Sequence, residues 1–172
     1  MNVQIRHEIP DDIAAIEAVT IAAFATAPHT SRTEQFIVRA LRAANALTLS
    51  IVAEEHGQII GHATLSPVTI TDAHGKQTAG WHGLGPISVL PARQGQGIGS
   101  RLMKQALTEL RAQHAAGCVL LGEPAYYTRF GFQSHAGLQL PGMPSACFMA
   151  LALRGTVPEG IAQYSDAFNA AA

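Results

Sequence analysis

Residues 90–107, LPARQGQGIGSRLMKQAL, place three glycines at every second position directly ahead of an amphipathic helical pattern. The glycines are Gly95, Gly97 and Gly99, and the apolar residues that follow at helical spacing are Ile98, Leu102, Ala106 and Leu110. Gly117 stands where a helix C-cap is expected. The first N–H groups of a helix lack partners within the helix, and the helix dipole favours negative charge there. We therefore expect this strand–loop–helix junction to bind an anion.

Two familiar phosphate sites fit the glycines poorly. A P-loop requires a lysine directly after its last glycine, and none follows here. The dinucleotide fingerprint requires a third glycine where this chain has Ser100, although Glu123 imitates its ribose-binding acid. Too little chain follows Glu123 for the rest of a doubly wound nucleotide domain. Arg93 and Arg101 would add positive charge beside a phosphate, and glycines that serve tight packing alone remain an alternative.

Patterns on both sides of the junction predict a mixed α/β sheet. A strand at 3–9 precedes a helix capped by Pro10–Asp12, and Ser31 with Glu34 has the spacing of a capping box for a second helix. Two strands then turn at His56–Gly57. The next strand contains Gly85–Pro86, where we expect a bulge or a parting from one neighbour because proline cannot donate to a ladder. CVLLG, a short helix and two last strands follow the glycine-loop helix, so the sheet is antiparallel early with one parallel crossover.

Composition indicates a single globular domain over residues 1–172. Hydrophobic residues make up 48% and charged residues 13%, and the net charge is -1. The chain has no basic run interleaved with aromatics, so nucleic acid is not an expected partner. It also has no apolar stretch long enough to span a membrane and no signal-like leader, so we expect a cytoplasmic protein. Cys118 and Cys147 lie in apolar runs and are expected to be reduced, buried strand residues, and the scattered histidines predict no metal site.

The glycine loop resembles a motif of a known enzyme superfamily. Gln94–Gly99 is similar to the Gln/Arg-x-x-Gly-x-Gly/Ala motif of the GNAT superfamily, the acyl-CoA-dependent N-acetyltransferases. GLGPISVLP before the loop looks like that family's fourth strand, and YYTRFGF after it looks like its Tyr-x-x-x-Gly-Phe ending. With the late EGIAQYSDAF, the chain looks most like the bacterial YhbS-like group of predicted N-acetyltransferases.

The resemblance implies a fold and a cosubstrate site. It implies one GNAT-like domain with about seven strands splayed around the coenzyme A site and about four helices. Acetyl-CoA would be the cosubstrate, with its pantetheine arm along Ile87, Ser88 and Val89 like an added strand. A backbone N–H near Ile87 or Val89 would meet the thioester oxygen. The pyrophosphate would bind the backbone amides of Gln94, Gly95, Gln96, Gly97, Ile98, Gly99 and Ser100.

The resemblance also implies an acid, whereas the base stays open. Tyr127 matches the family's general-acid tyrosine, counted back from Gly131 and Phe132, and a phenol can protonate a leaving thiolate. Packing is the alternative role for Tyr127 and its neighbour Tyr126. Glu123 at the end of the fifth strand is a candidate general base, or else a surface carboxylate at the helix that Pro124 begins. His82 is a second candidate, or else a hydrogen-bonded sheet histidine, and an enzyme that selects the free amine needs no base.

Two functions follow from these residues. The first is acetyl transfer to a primary amine by direct attack in a ternary complex. The alternative is a non-catalytic acyl-CoA-binding sensor or partner-binding module, for which the glycine loop would be equally necessary. Acceptor specificity is expected from the first two helices, the loop ATAPHTSRTEQ at 25–35 and the C-terminal strands. Pairing of sheet edges in a homodimer is compatible with this kind of fold.

Overall fold

The computed structural model describes residues 2–28 and 30–172. The strands are β1 (Val3–His7), β2 (Leu49–Glu55), β3 (Gln58–Thr71), β4 (Gln77–Val89), β5 (Gly117–Leu121), β6 (Gln133–Ser134), β7 (Leu138–Gln139), β8 (Phe148–Ala152) and β9 (Gly160–Gln163). The helices are α1 (Ile13–Phe24), α2 (Glu34–Ala43), α3 (Ile98–Ala112) and α4 (Pro124–Tyr127). Short 3₁₀ turns add to these, among them one at Asp166–Asn169.

The strands form one mixed sheet, which confirms the predicted fold class. Its main order is β1-β2-β3-β4-β5-β8-β6, and β9 joins it beside β3 and pairs with β7. Within the described residues, β4 with β5 and β7 with β9 are the parallel pairs. The main path has the predicted number of seven strands but not the predicted membership. The predicted strand LQLPG is β7, which lies off this path, and β6 and β9 were not predicted. The antiparallel start and the single crossover through α3 are as expected.

Helices cover both faces of the sheet. The predicted stripe on α3 is confirmed, because Ile98, Leu102, Ala106 and Leu110 are all buried in the largest core cluster together with Ile51 and Ala53 of β2. Val52 faces the other way and packs with residues of α1 and α2. Within the described part of the chain, no helix combines the length and hydropathy needed to cross a bilayer.

Two predicted helix boundaries are wrong. Gly117 does not cap α3, which ends at Ala112; His114 takes the left-handed turn with φ of 58°, and Gly117 begins β5. A Cβ on Gly117 would lie 2.4 Å from the Trp81 ring, so close packing explains this glycine. The expected capping box at Ser31 does not form either. Thr33 is the N-cap of α2, and the Glu34 carboxylate instead accepts a hydrogen bond from the Thr30 hydroxyl.

The expected bulge at Gly85–Pro86 is confirmed. The register of β3 with β4 passes from Ala63 opposite Ile87 to Leu65 opposite Leu84, so Gly85 and Pro86 together oppose Thr64. The Thr64 hydroxyl donates a 2.7 Å hydrogen bond to the Gly85 carbonyl, which holds the bulged chain against β3.

Burial separates the two cysteines. Cys118 is fully buried in β5, as expected, and burial raises the pKa of its thiol to about 12. Cys147 is only partly buried and precedes β8, so the prediction of a buried strand position is wrong there. Both are free thiols.

A polar cluster lies between the sheet and the first two helices. Arg42 Nη2 donates to Glu8 Oε2 at 2.8 Å, and the Ser50 hydroxyl bonds both Glu8 and His62. Burial by itself would raise the pKa of Glu8, but His62, Arg42 and Ser50 together outweigh it and lower that pKa to about 2. Burial also lowers the pKa of His62, so its ring is neutral near pH 7.

Candidate active site

Strands β4 and β5 separate part-way along their length. They pair only where Trp81, His82 and Gly83 face Gly117, Cys118 and Val119. Beyond Gly83, β4 continues beside β3 as far as Val89, whereas β5 continues beside β8 to Leu121. A wedge therefore opens between the two central strands, starting at the bulge.

The open edge of β4 carries unpaired backbone groups. The Leu90 amide donates to the Ile60 carbonyl at 3.0 Å, so the groups of Ser88, two residues earlier, also point toward β3. By alternation, the N–H and C=O groups of Ile87 and Val89 point into the wedge. The side-chain amide of Gln94 donates to the Val89 carbonyl at 3.1 Å. This geometry suits an extended ligand that adds to β4 as a strand would.

The glycine loop has the backbone expected of an anion site. Gly95 and Gly97 have φ of 74° and 81°, values that favour glycine, and Gly97 is the N-cap of α3. Among the described residues, the amides from Gly95 to Ser100 have no intramolecular acceptor, and the first amide bonded back is that of Arg101, to the Gly97 carbonyl. Ile98 anchors the loop because its side chain is buried in the core.

Both predicted arginines are engaged by protein partners beside the loop. Arg93 forms an ion pair with Glu55 and also donates from Nε to Gln96 Oε1 of the loop at 3.1 Å, and Arg101 donates to the Val3 carbonyl at 2.6 Å. Their contribution of positive charge near a phosphate stays a prediction. The other groups that a ligand could use here are the backbone amides and the helix dipole.

A cavity of about 690 Å³ opens beside the wedge. Leu84, Gly85, Pro86 and Ile87 of β4 line one side of it, and Leu120, Leu121 and Tyr127 line another. Helix α2 and the turn at 166–169 complete its walls. The separated strands and Tyr127 therefore border one space.

Tyr127 is held at this position by a glycine. A Cβ on Gly122 would lie 2.2 Å from Tyr127 Cε2, so the ring lies directly against the end of β5. Burial raises the pKa of Tyr127 to about 12, with Tyr126 as a smaller contributor. The Tyr126 hydroxyl lies 3.2 Å from Ser100 Oγ, so Tyr126 packs α4 against the first turn of α3.

The two candidate bases lie elsewhere. Glu123 is exposed at the N-cap of α4, where its carbonyl accepts from the Tyr126 and Tyr127 amides, and it is not among the residues that line the cavity. His82 is half-buried in β4, with Nδ1 3.1 Å from the Thr48 hydroxyl, and burial lowers its pKa. It too is absent from the cavity lining. The structure does not bring either residue to Tyr127 within this cavity.

The acidic residues that do line the cavity are Glu34 and Asp166, neither of which the sequence predicted as a site residue. Glu34 belongs to the loop segment 25–35 that was expected to govern specificity, although His29 in that segment lies outside the described residues. Asp166 belongs to the late motif EGIAQYSDAF. The sequence therefore indicated the segments that hold these two carboxylates but not the carboxylates themselves, because no local pattern distinguishes them from surface ones.

The C-terminal segment closes the cavity at the point where β4 and β5 part. A Cβ on Gly83 would lie 2.2 Å from Tyr164 Cε1, so the Tyr164 ring packs directly on the last paired residue of β4. Phe168 packs on Tyr164 with ring centroids 4.8 Å apart. Because β9 pairs with β3, the segment that follows β9 lies beside the point where β4 and β5 part.

Comparison with known proteins identifies the family. Residues 47–134, just over half of the chain, match the profile of the acetyltransferase (GNAT) domain. The chain belongs to the GNAT family. The uncharacterized N-acetyltransferase YhbS of Escherichia coli K12 is 36% identical, over 96% of this chain and 98% of its own. The predicted family and enzyme class, an N-acetyltransferase, are confirmed, and the dinucleotide-binding alternative is wrong.

Two solved structures of GNAT proteins are similar to this chain over nearly its whole length. A GNAT family acetyltransferase from Brucella melitensis in complex with acetyl-CoA has a TM-score of 0.85 and 48% identity, covering 97% of this chain and 98% of its own. Escherichia coli YhbS in complex with CoA has a TM-score of 0.84 and 34% identity, covering 97% and 92%. Both are GNAT proteins matched across nearly the whole chain.

Proposed function

We propose that residues 1–172 act as one GNAT domain that transfers an acetyl group from acetyl-CoA to a primary amine by direct attack in a ternary complex. The observation that carries this proposal is the shared cavity, which Tyr127 and the separated ends of β4 and β5 border together. The acetyl-CoA and CoA complexes of the two similar structures support the choice of cosubstrate. The cytoplasmic location and the homodimer stay predictions.

The chain's free backbone groups match the parts of acetyl-CoA. The Gln94 amide, which was predicted to take part, donates instead to the Pro91 carbonyl at 3.3 Å. The unpaired amides from Gly95 to Ser100 would hold the pyrophosphate, as helix N-termini commonly do. The pantetheine arm would lie along Ile87, Ser88 and Val89 in the wedge. An N–H of Ile87 or Val89 that points into the wedge would bind the thioester oxygen and stabilise the oxyanion.

The reaction balances without a covalent enzyme intermediate. The neutral amine attacks the thioester carbon, the C–N bond forms, the C–S bond breaks, and the proton of the amine leaves while the thiolate gains one. Cys118 is fully buried with a pKa raised to about 12, so its thiolate is not available as a nucleophile. The Ser88 hydroxyl is buried without a hydrogen-bond partner among the described residues, and Ser88 does not line the cavity.

Tyr127 would donate a hydrogen bond to the departing thiolate. Because burial raises its pKa to about 12, the phenol stays protonated at neutral pH and can donate. A thiol has a pKa of about 8.5, so full transfer from the phenol is uphill and a hydrogen bond in the transition state is the main contribution. Donation of this kind from a cavity-lining residue favours an enzyme over a sensor. Glu123 and His82 as bases stay predictions, and selection of the free amine requires neither.

Calorimetric titration with acetyl-CoA, with NAD and ATP in parallel, tests the cosubstrate. We expect binding of acetyl-CoA alone, near one site per chain. No binding, or equal binding of NAD, would overturn the proposal.

The second experiment measures CoA thiol release in the presence of amines. Tyr127→Phe is expected to lower kcat by roughly 10²-fold or more, the range of acid–base catalysis, with acetyl-CoA binding unchanged. Tyr126→Phe is the matched control, since it removes the neighbouring hydroxyl that contacts Ser100 instead of lining the cavity. Full turnover by Tyr127→Phe with normal acetyl-CoA binding would exclude the acid role.

A further inference from the structure

The walls of the cavity are mostly apolar and carry charge of one sign. The apolar lining includes Phe24, Ile37, Leu84, Leu120, Leu140 and Phe168. Met143 and Ile161 also line the cavity and are 50% and 47% exposed. The charged residues of the lining are Glu34 and Asp166, and no Lys, Arg or His lies among the described residues that line it.

Glu34 presents one unsatisfied carboxylate oxygen. It is the first residue of α2, and its Oε1 accepts a hydrogen bond from the Thr30 hydroxyl. Its Oε2 is buried and has no hydrogen-bond partner among the described residues. A buried carboxylate oxygen without a donor is costly, and a donor carried by a ligand would remove that cost. This oxygen therefore favours a cationic donor.

Asp166 adds a second negative charge from a different segment. It begins the 3₁₀ turn at 166–169, whose first amides are capped by the Ser165 hydroxyl at 3.3 Å from the Ala167 nitrogen. The turn packs against α2, the helix that carries Glu34. Asp166 is exposed, so it biases the approach of charged ligands, whereas Glu34 lies deeper.

We infer that the acceptor is a monoamine with an apolar body and no carboxylate, and that Glu34 is the residue that binds its ammonium group. The inference rests on the proposed function, because it assigns the acceptor of that same site. The apolar walls receive the body of the ligand, and the carboxylate of Glu34, a residue of the cavity lining, receives a donor from the ammonium. The bound ammonium first releases one proton to solvent water, and the neutral amine then attacks the thioester carbon.

The same lining excludes two other classes of amine. An amino acid would bring its carboxylate beside Glu34 and Asp166 with no cation among the described lining residues to receive it. A polyamine with three ammonium groups, such as spermidine, has more charges than the two carboxylates of the lining can pair, so at least one would lie against side chains such as Ile37, Leu140 and Phe168. Both arrangements bury an unpaired charge, which costs more than the contacts return.

Phenethylamine and phenylalanine form the matched test pair, because they differ only by the carboxylate. We expect CoA thiol release with phenethylamine at a kcat/KM about tenfold or more above that with phenylalanine, and above that with spermidine. Equal or faster turnover of phenylalanine or spermidine would overturn the inference and leave the acetyltransferase proposal intact.

The substitution Glu34→Gln tests whether Glu34 binds the ammonium group of the acceptor. It is expected to raise KM for phenethylamine about tenfold or more, the effect of losing one charge-assisted hydrogen bond, with a smaller change in kcat. The pH dependence of kcat is expected to keep its shape, whereas loss of a general base would change it. Asp11→Asn, at an exposed position in the turn before α1, is the control and should leave KM unchanged. An unchanged KM in Glu34→Gln would overturn the assignment.

Calorimetry distinguishes a failure of the acceptor inference from a failure of the proposed acetyltransferase function. Phenethylamine and phenylalanine are titrated into the protein saturated with CoA, and Asp166→Asn is measured beside Glu34→Gln in case the latter does not fold. Binding of phenethylamine without turnover would support the acceptor class and count against the enzyme. Absence of phenethylamine binding would overturn the inference, whatever acetyl-CoA does.

Discussion

Gly122, the residue after β5, is expected to determine where the Tyr127 ring can lie. An added Cβ would lie 2.2 Å from Tyr127 Cε2 and 2.6 Å from Cδ2, whereas ordinary contacts begin near 3.4 Å. In Gly122→Ala the ring edge must therefore move by about 1.2 Å. Tyr126 and Phe132 hold the ring edge-on with centroids 4.9 Å and 6.5 Å away, so it cannot move without disturbing them.

The displacement of the Tyr127 ring predicts a loss of kcat. Misplacing a catalytic group by about 1 Å costs on the order of 10²-fold. We expect Gly122→Ala to lower kcat about hundredfold, with acetyl-CoA binding unchanged, because the glycine loop and the β4 edge are elsewhere. Initial rates of CoA thiol release measure this, and urea denaturation shows that the variant is folded.

The double variant sharpens the test. In a Tyr127→Phe background, Gly122→Ala is expected to cause no further loss of kcat, because both changes remove the same hydroxyl contribution. If Tyr127→Phe abolishes most activity and Gly122→Ala retains more than about a third of the wild-type kcat, the reasoning from ring position is refuted.

Gly97→Ala, at φ of 81°, is expected to weaken acetyl-CoA binding about tenfold by distorting the loop, as calorimetry would measure. Gly75→Ala, at φ of 80° in the β3–β4 turn, carries the same strain and should leave binding unchanged, so equal effects would contradict the loop's role. The pKa of Glu8 is lowered from 4.5 to about 2, so the stability it contributes is complete above about 4.5 and lost as pH falls toward about 2. Glu8→Gln should therefore flatten the fall of the urea midpoint over that range, and a wild-type slope would count against the Arg42 and His62 contacts.

The features that sequence reasoning found are local ones. The glycine loop before α3, the apolar stripe from Ile98 on α3 and the bulge at Gly85–Pro86 depend on a few adjacent residues and their conformational preferences. Tyr127 was found by its distance along the chain from Gly131 and Phe132. Two predictions from local patterns were wrong. Ser31 has the spacing of a cap, but Thr33 is the N-cap of α2, and Gly117 packs against Trp81 instead of capping α3.

The amino-acid sequence by itself determined the family, the mixed sheet class and the glycine loop, because short motifs and the order of predicted strands and helices are enough to indicate them. The tertiary structure alone decided which charges meet. Arg93 pairs with Glu55 on β2 while it contacts Gln96 of the loop, and Glu34 and Asp166 come to one cavity because β9 pairs with β3 and its following turn packs on α2. These partners lie far apart along the chain, and electrostatics depends on distance in space and on burial, which no local pattern specifies.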